Sequence, residues 1–164
     1  MNALNRTFLK PLAPRPKQQL PTVVIGAGPV GLAAAAHLVA RGHRPIVLEA
    51  GARVGASMRS WGHVRMFSPW KYNIDGAART LLLDARWSPP GDEEAFPTGN
   101  ELVDGYLEPL ARLPQIAAGL RLKTRVVAVS RLGADKMKTA DRVSRPFVVR
   151  IKGPSGDDVC SQLP

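Results

Sequence analysis

Cysteine occurs once, as Cys160, so the chain can form no internal disulfide and carries no C-x-x-C redox pair. That scarcity suits a reducing compartment, and a cytoplasmic setting is the plain expectation. Long apolar runs are also missing. No uninterrupted span reaches the roughly 20 residues a bilayer requires, and no secretory apolar core stands at the N-terminus. Internal repeats are absent, and no metal-ligand cluster is assigned. Acidic residues are few: 13 Asp and Glu against 23 Lys and Arg leave a formal charge of +10. Such a balance can serve an anionic partner, such as nucleic acid or phospholipid. Yet the arginines are scattered, and no aromatic ladder accompanies them. A solvated basic surface is the simpler reading, with no specific nucleic acid or membrane partner. An anionic cofactor would gain from the same field. Apolar content is ordinary at 45% over 164 residues, enough for one domain with a real core.

What is present concentrates between Thr22 and Glu49. Thr22-Val23-Val24-Ile25 is a β-branched run suited to a buried strand. Gly26-Ala27-Gly28-Pro29-Val30-Gly31 follows as a G-x-G-x-x-G loop. Leu32 to Arg41 is rich in Ala and Leu and reads as helix, closed by Arg41-Gly42-His43. Pro45-Ile46-Val47-Leu48 is a second apolar run, and Glu49 stands at its end. Strand, glycine turn, helix, strand and acid make the first half of a dinucleotide-binding βαβ unit. Gly26 permits the tight turn, Gly28 lets a pyrophosphate approach the backbone, and Gly31 lets the helix pack against the sheet. N–H groups at the helix start favour phosphate charge, and Pro29 is tolerated there. Glu49, about 20 residues past the loop, can accept both ribose hydroxyl protons. It would repel an adenosine 2′-phosphate, which argues against NADP in this site, although Arg53 is near enough to weaken that argument. A membrane helix over 23–40 is opposed by the three glycines and the proline in its first half.

The rest of the chain organises around that unit. Residues 1–20 carry Arg6, Lys10, Arg15 and Lys17 among Pro11, Pro14 and Pro16, and read as a flexible basic leader; targeting is the weaker alternative. Residues 21–152 form the domain and 153–164 an irregular tail. The small-residue loop from Ala50 to Trp61 holds Arg53 and Arg59, either of which can neutralise phosphate or face water. Residues 62–73 form an aromatic loop with His63, Phe67, Trp70 and Tyr72, able to wall a planar ring or simply to pack on its own domain. His63 is a weak proton-transfer candidate without a partner, and no catalytic residue is assigned. Asp75 caps a helix over 76–84, with Leu81-Leu82-Leu83 facing inward. Residues 86–97 form a solvated loop whose acids have no chemistry. Thr98 and Glu101 make a capping box for an amphipathic helix carrying Leu102, Val103, Tyr106, Leu107 and Leu110 and ending near Leu113-Pro114. Residues 120–130 read as one strand that starts inside the sheet and continues outward. A basic loop over 131–144, a strand over 146–152 and a weak one near 157–160 complete an antiparallel meander.

These motifs resemble the N-terminal part of FAD-dependent oxidoreductases of the two-dinucleotide-binding type, flavin-containing monooxygenase-like or pyridine nucleotide-disulfide oxidoreductase-like. The residues that carry the resemblance are Val24 to Leu32, Val47-Leu48-Glu49, Val54-Gly55-Ala56, Pro97 to Leu102 and Thr124-Arg125-Val126, over about residues 21–151. It implies an α/β, Rossmann-like FAD/NAD(P)-binding domain with a parallel sheet and a β-meander. It also implies that Gly26, Ala27, Gly28, Pro29 and Gly31 cradle the FAD pyrophosphate, that Glu49 holds the adenosine ribose, that Val126 meets the adenine through its main chain, and that Gly55 and Arg59 line the ribityl and flavin side. In the complete form NAD(P)H reduces the flavin, and oxygen or another acceptor reoxidises it. The family's later Ala-Thr-Gly-like strand and second G-x-G-x-x-G do not occur here. The chain therefore reads as an N-terminal fragment, whose missing C-terminal half or partner chain would complete the sheet. The alternative is a non-catalytic nucleotide-binding remnant, or one piece of a split flavoprotein. A basic nucleic-acid-binding module has only the net charge behind it.

Overall fold

The computed structural model describes residues 20–134, 137 and 142–153, together with the backbone of 158–161. The expected leader lies outside the described residues, as do most of the tail and part of the loop over 131–144.

β1 (Val23–Ile25) leads through the glycine loop into α1 (Pro29–Ala40), and β2 (Ile46–Leu48) returns parallel to β1, with Val24 opposite Val47. Helix α1 begins three residues earlier than the expected Leu32, because Pro29 fits its first turn. It ends at Arg41, and Gly42 takes the left-handed conformation (φ 78°) as the closing glycine. Ala35 and Ala36 of α1 are fully buried, and the helix packs on α4 (Gly76–Asp84) as well as on β1 and β2.

Between them come two short helices, α2 (Ala56–Arg59) and α3 (Trp70–Asn73). Asp75 caps α4 as expected, its Oδ1 accepting from the N–H groups of Ala77 and Ala78. The expected inward trio of leucines is corrected: Leu82 is buried, but Leu83 is half exposed at 51%. Successive helical residues diverge by about 100°, so three in a row cannot share one face.

The capping box is present in full, with Thr98 N–H donating to Glu101 and Glu101 N–H donating to the Thr98 hydroxyl. It opens α5 (Gly99–Leu102), which widens into a π-type turn over Val103–Leu107 before α6 (Glu108–Arg112). The widening has a local cause. Pro109 has no N–H to give Gly105, and its ring would crowd that carbonyl. The Gly105 carbonyl accepts instead from the Trp87 indole at 2.9 Å. Leu102, Val103, Tyr106, Leu107 and Leu110 from this helix are all buried and form the centre of the core with Leu32, Leu82 and Ile116. Burying each such side chain contributes about 1.5–3 kcal/mol. α7 (Pro114–Ala117) then leads to β3 (Leu120–Arg121), which pairs parallel to β2.

The single strand expected over 120–130 is two strands in different sheets. Lys123 takes a left-handed conformation (φ 53°), which breaks the run. Its N–H donates to the Gly51 carbonyl, and the Thr124 N–H donates to the Glu49 carbonyl. Beyond this pivot, β4 (Arg125–Arg131), β5 (Phe147–Lys152) and β6 (Asp158–Ser161) form an antiparallel meander with a bulge between Val126 and Ala128. The parallel sheet has the order β1-β2-β3.

A glycine loop closed by an acid

Gly26 leaves β1 with φ 95° and donates its N–H to the Leu48 carbonyl at 2.7 Å, which anchors the loop to β2. Gly28 then caps α1 without any side-chain partner for the first-turn amides. A Cβ built on Gly28 would meet nothing within 4 Å, so open space lies over the helix start. A Cβ on Gly31 would stand 1.9 Å from the Gly26 carbonyl oxygen. The three glycines thus provide a tight turn, open space over the helix start, and close packing of α1 on that turn.

Glu49 sits at the end of β2, partly buried, and turns its carboxylate back onto the loop. Its Oε2 accepts from the Ala27 N–H at 2.7 Å, and its Oε1 from the Gly51 N–H at 2.6 Å. Each oxygen keeps a second lone pair for a further donor. Ala27 is held from both sides, because its carbonyl accepts from the Gly55 N–H at 3.0 Å and its side chain is fully buried. Its amide is therefore engaged by Glu49, and the unpaired amides lie further along, in the first turn after Pro29. Gly51 was not singled out from the sequence. Its place two residues after the acid is the signal that could have marked it.

The remaining candidates are distributed around this centre. Gly55 is buried with φ 63°, and a Cβ there would meet Val103 Cγ2 at 2.8 Å, so its bare face is turned toward the core helix. Arg59 follows on α2, one turn away. Its guanidinium donates to Asp104 at 2.7 Å and Glu108 at 3.3 Å. The hydrogen bond to Asp104 is the main cause of its raised pKa, partly opposed by burial. Neither acid was anticipated, because 45 and 49 residues separate them from Arg59. Val126 is half-buried on β4, opposite Ile151 and two residues past the hydrogen bond from Thr124 to Glu49. Arg53 and His63 are both exposed. In the aromatic loop Trp70 is buried, whereas Phe67 and Tyr72 face water. Among the described residues, no group of three or more His, Cys, Asp or Glu could hold a metal ion. No helix among them is long and apolar enough to cross a membrane.

A dinucleotide-binding βαβ unit with a meander behind it defines the class of flavin- and nicotinamide-binding Rossmann-like proteins. A model of the FAD dependent oxidoreductase (DAO) family matches residues 22–150, and the chain belongs to that family. Among curated proteins, it is 43% identical over 49 residues to the 15-cis-phytoene desaturase of Narcissus pseudonarcissus, covering 30% of this chain and 9% of that protein. Among solved structures, the bacillithiol disulfide reductase Bdr of Bacillus cereus superposes with a TM-score of 0.61 at 22% identity, over 87% of this chain and 36% of that one. A steroid monooxygenase bound to NADP gives 0.59 at 24% identity, over 85% of this chain and 24% of that one. The S-allyl-L-cysteine S-oxygenase of Allium sativum gives 0.57 at 21%, over 85% and 33%. The fold class expected from the sequence is thus the fold found. The chain spans between about a quarter and a third of these solved chains.

Proposed function

We propose that this chain binds the ADP half of FAD and serves an oxidoreductase of the flavin monooxygenase-like type. The observation that carries the reading is the Glu49 carboxylate, tied to Ala27 and Gly51, beside open space over Gly28 at the start of α1. The chemistry of that set suits the group. Uncommitted amides and the positive end of a twelve-residue helix favour a diphosphate. A carboxylate with free lone pairs suits vicinal ribose hydroxyls. Gly26, Gly28, Pro29 and Gly31 shape the phosphate side, Glu49 holds the ribose, and the Val126 main chain borders the adenine. Gly55 supports the loop by fixing Ala27. Arg59 stands toward the ribityl and flavin side, with its charge balanced by Asp104 and Glu108.

Bound there, FAD would supply the redox chemistry, taking hydride from NAD(P)H and passing electrons to oxygen or another acceptor. The nicotinamide nucleotide would require polypeptide beyond these residues, as would a substrate pocket. The same loop and acid also suit a second reading: a nucleotide-binding remnant or one piece of a split flavoprotein, acting in the cytoplasm with a second polypeptide. The visible spectrum of the purified chain tests both. Flavin absorption that disappears in Glu49→Ala supports the first reading. A colourless protein that still binds ADP supports the second. Failure to bind either FAD or ADP refutes the site, and steeply salt-dependent DNA binding would instead favour a nucleic-acid role.

A further inference from the structure

The Ala27 carbonyl accepts from the Gly55 N–H, so whatever fixes Gly55 also fixes the glycine loop. Gly55 opens α2, a helix of four residues and too short to hold its own shape in water. Its geometry must come from what it rests on. Two rows of side chains from the π-type turn and α6 meet it. Val103 and Leu107 close under Gly55, where an added Cβ would stand 2.8 Å from Val103 Cγ2 and 3.5 Å from Leu107 Cδ1. Asp104 and Glu108, each one residue further on, take the Arg59 guanidinium at 2.7 and 3.3 Å at the far end of α2. Each row joins residues four apart, which are neighbours on a helical surface. The turn is itself fixed by other elements. The Tyr106 hydroxyl accepts from the Asp75 N–H at 3.2 Å, and the Gly105 carbonyl from the Trp87 indole at 2.9 Å. Glu108 is held in turn by Arg112 at 3.0 Å.

We infer that Val103, Asp104 and Glu108 are positioning residues for the nucleotide: they set α2, and α2 sets the glycine loop through Gly55 and Ala27. The Asp104 side chain is 64% exposed, and an ion pair so open to water contributes little to folding. Its effect is on where Arg59 lies. The Arg59 Nε is buried with no hydrogen-bond partner, and in water that donor would be hydrated. Arg59 stays in place only because the two carboxylates outweigh that loss, and α2 stays with it. The Arg59 N–H closes the single turn on the Gly55 carbonyl at 3.0 Å, so the two ends of α2 move together. The purpose of the hold rests on the ADP-binding reading, whereas its mechanism rests on these contacts alone. Loosening either row should weaken ADP binding without removing any group assigned to the nucleotide.

Amide hydrogen exchange of the full chain tests the hold without any ligand. In the double variant Asp104→Asn, Glu108→Gln, exchange of the Gly55 N–H should accelerate at least tenfold more than that of the Val47 N–H. The latter is bonded to the Gly119 carbonyl at 3.0 Å in the parallel sheet and reports the fold as a whole. Val103→Ala should act in the same way from the other row. ADP affinity of the same proteins, measured by calorimetry, should fall about fivefold or more, the low end of couplings between separate sites. Equal acceleration of Gly55 and Val47 would make the loss a general one and overturn the inference. So would an unchanged Gly55 rate in either folded variant, or ADP bound as tightly as before once Gly55 has loosened. If Val103→Ala fails to fold, the double variant decides, because Asp104 lies at the surface and glutamine keeps the size of Glu108. If the unaltered chain binds no ADP, the proposed function falls, while the exchange rates still decide the hold.

Discussion

Alanine at Gly31 and alanine at Gly28 should have opposite consequences, although both belong to the same six-residue loop. At Gly31 the new methyl would stand 1.9 Å from the Gly26 carbonyl oxygen and 2.9 Å from its carbon. Ordinary contact begins near 3.4 Å, so helix and turn must separate by about 1.5 Å. Backbone lies on both sides of the clash, and no flexible side chain can absorb it. Overpacking costs about 1–3 kcal/mol where side chains can yield, so Gly31→Ala should lose at least about 3 kcal/mol. With an m-value near 2 kcal/mol/M, the urea midpoint would fall by roughly 1.5 M. At Gly28 the backbone is already extended, with φ −87° and ψ −172°, and the methyl meets nothing. Alanine there should leave stability unchanged or raise it by about 0.4–1 kcal/mol through the unfolded chain. That methyl nevertheless occupies the space a diphosphate needs. ADP affinity measured by calorimetry should drop about tenfold or more, equal to 1.4 kcal/mol or above. The reasoning fails if Gly31→Ala unfolds at the wild-type midpoint, or if Gly28→Ala binds ADP as tightly as the unaltered chain.

Glu49→Gln keeps one acceptor but sets an amide against a backbone N–H, so stability should fall by about 2 kcal/mol, and ADP binding with it; an unchanged denaturation curve would contradict the tie between Ala27 and Gly51. Thr98→Ala should cost about 1 kcal/mol in the same assay. The Glu101 carboxyl is held below its usual range chiefly by the Thr98 backbone N–H. Its contribution is therefore present above the unfolded value near pH 4.3 and lost as pH falls through the lower folded value. The stability gap between the wild type and Glu101→Gln should close over that acid window, and a gap independent of pH would refute it. Burial raises the Tyr106 phenol, whose oxygen accepts from the Asp75 N–H at 3.2 Å. Stability should thus decline as pH rises above the unfolded value near 10, and Tyr106→Phe should weaken that decline while costing about 1 kcal/mol at neutral pH.

The parts legible in the sequence were those that local chemistry decides. β-Branched runs, three glycines at fixed spacing and a terminal acid are sufficient to place β1, α1, β2 and Glu49, because each residue type answers a backbone requirement nearby. The caps at Asp75 and Thr98 were legible for the same reason. What escaped depends on distant chain. The break at Lys123 is held by Gly51 and Glu49, more than seventy residues earlier, while the run Val126-Val127-Ala128-Val129 looks like an uninterrupted strand. The partners of Arg59 lie on a helix whose phase shifts at the π-type turn, and that shift follows from Pro109 with Trp87 taking the freed carbonyl. The outward turn of Leu83 was recoverable from helical geometry alone.

The double hold on Ala27 has a further consequence. Its amide is engaged by Glu49 and its carbonyl by Gly55, so folding itself sets the curvature of the glycine loop. A nucleotide arriving there would meet a surface already in its final shape, and little association energy would go into arranging the chain. Recognition of such a nucleotide would then rest on the few groups between β1 and Gly51, set in place before it arrives.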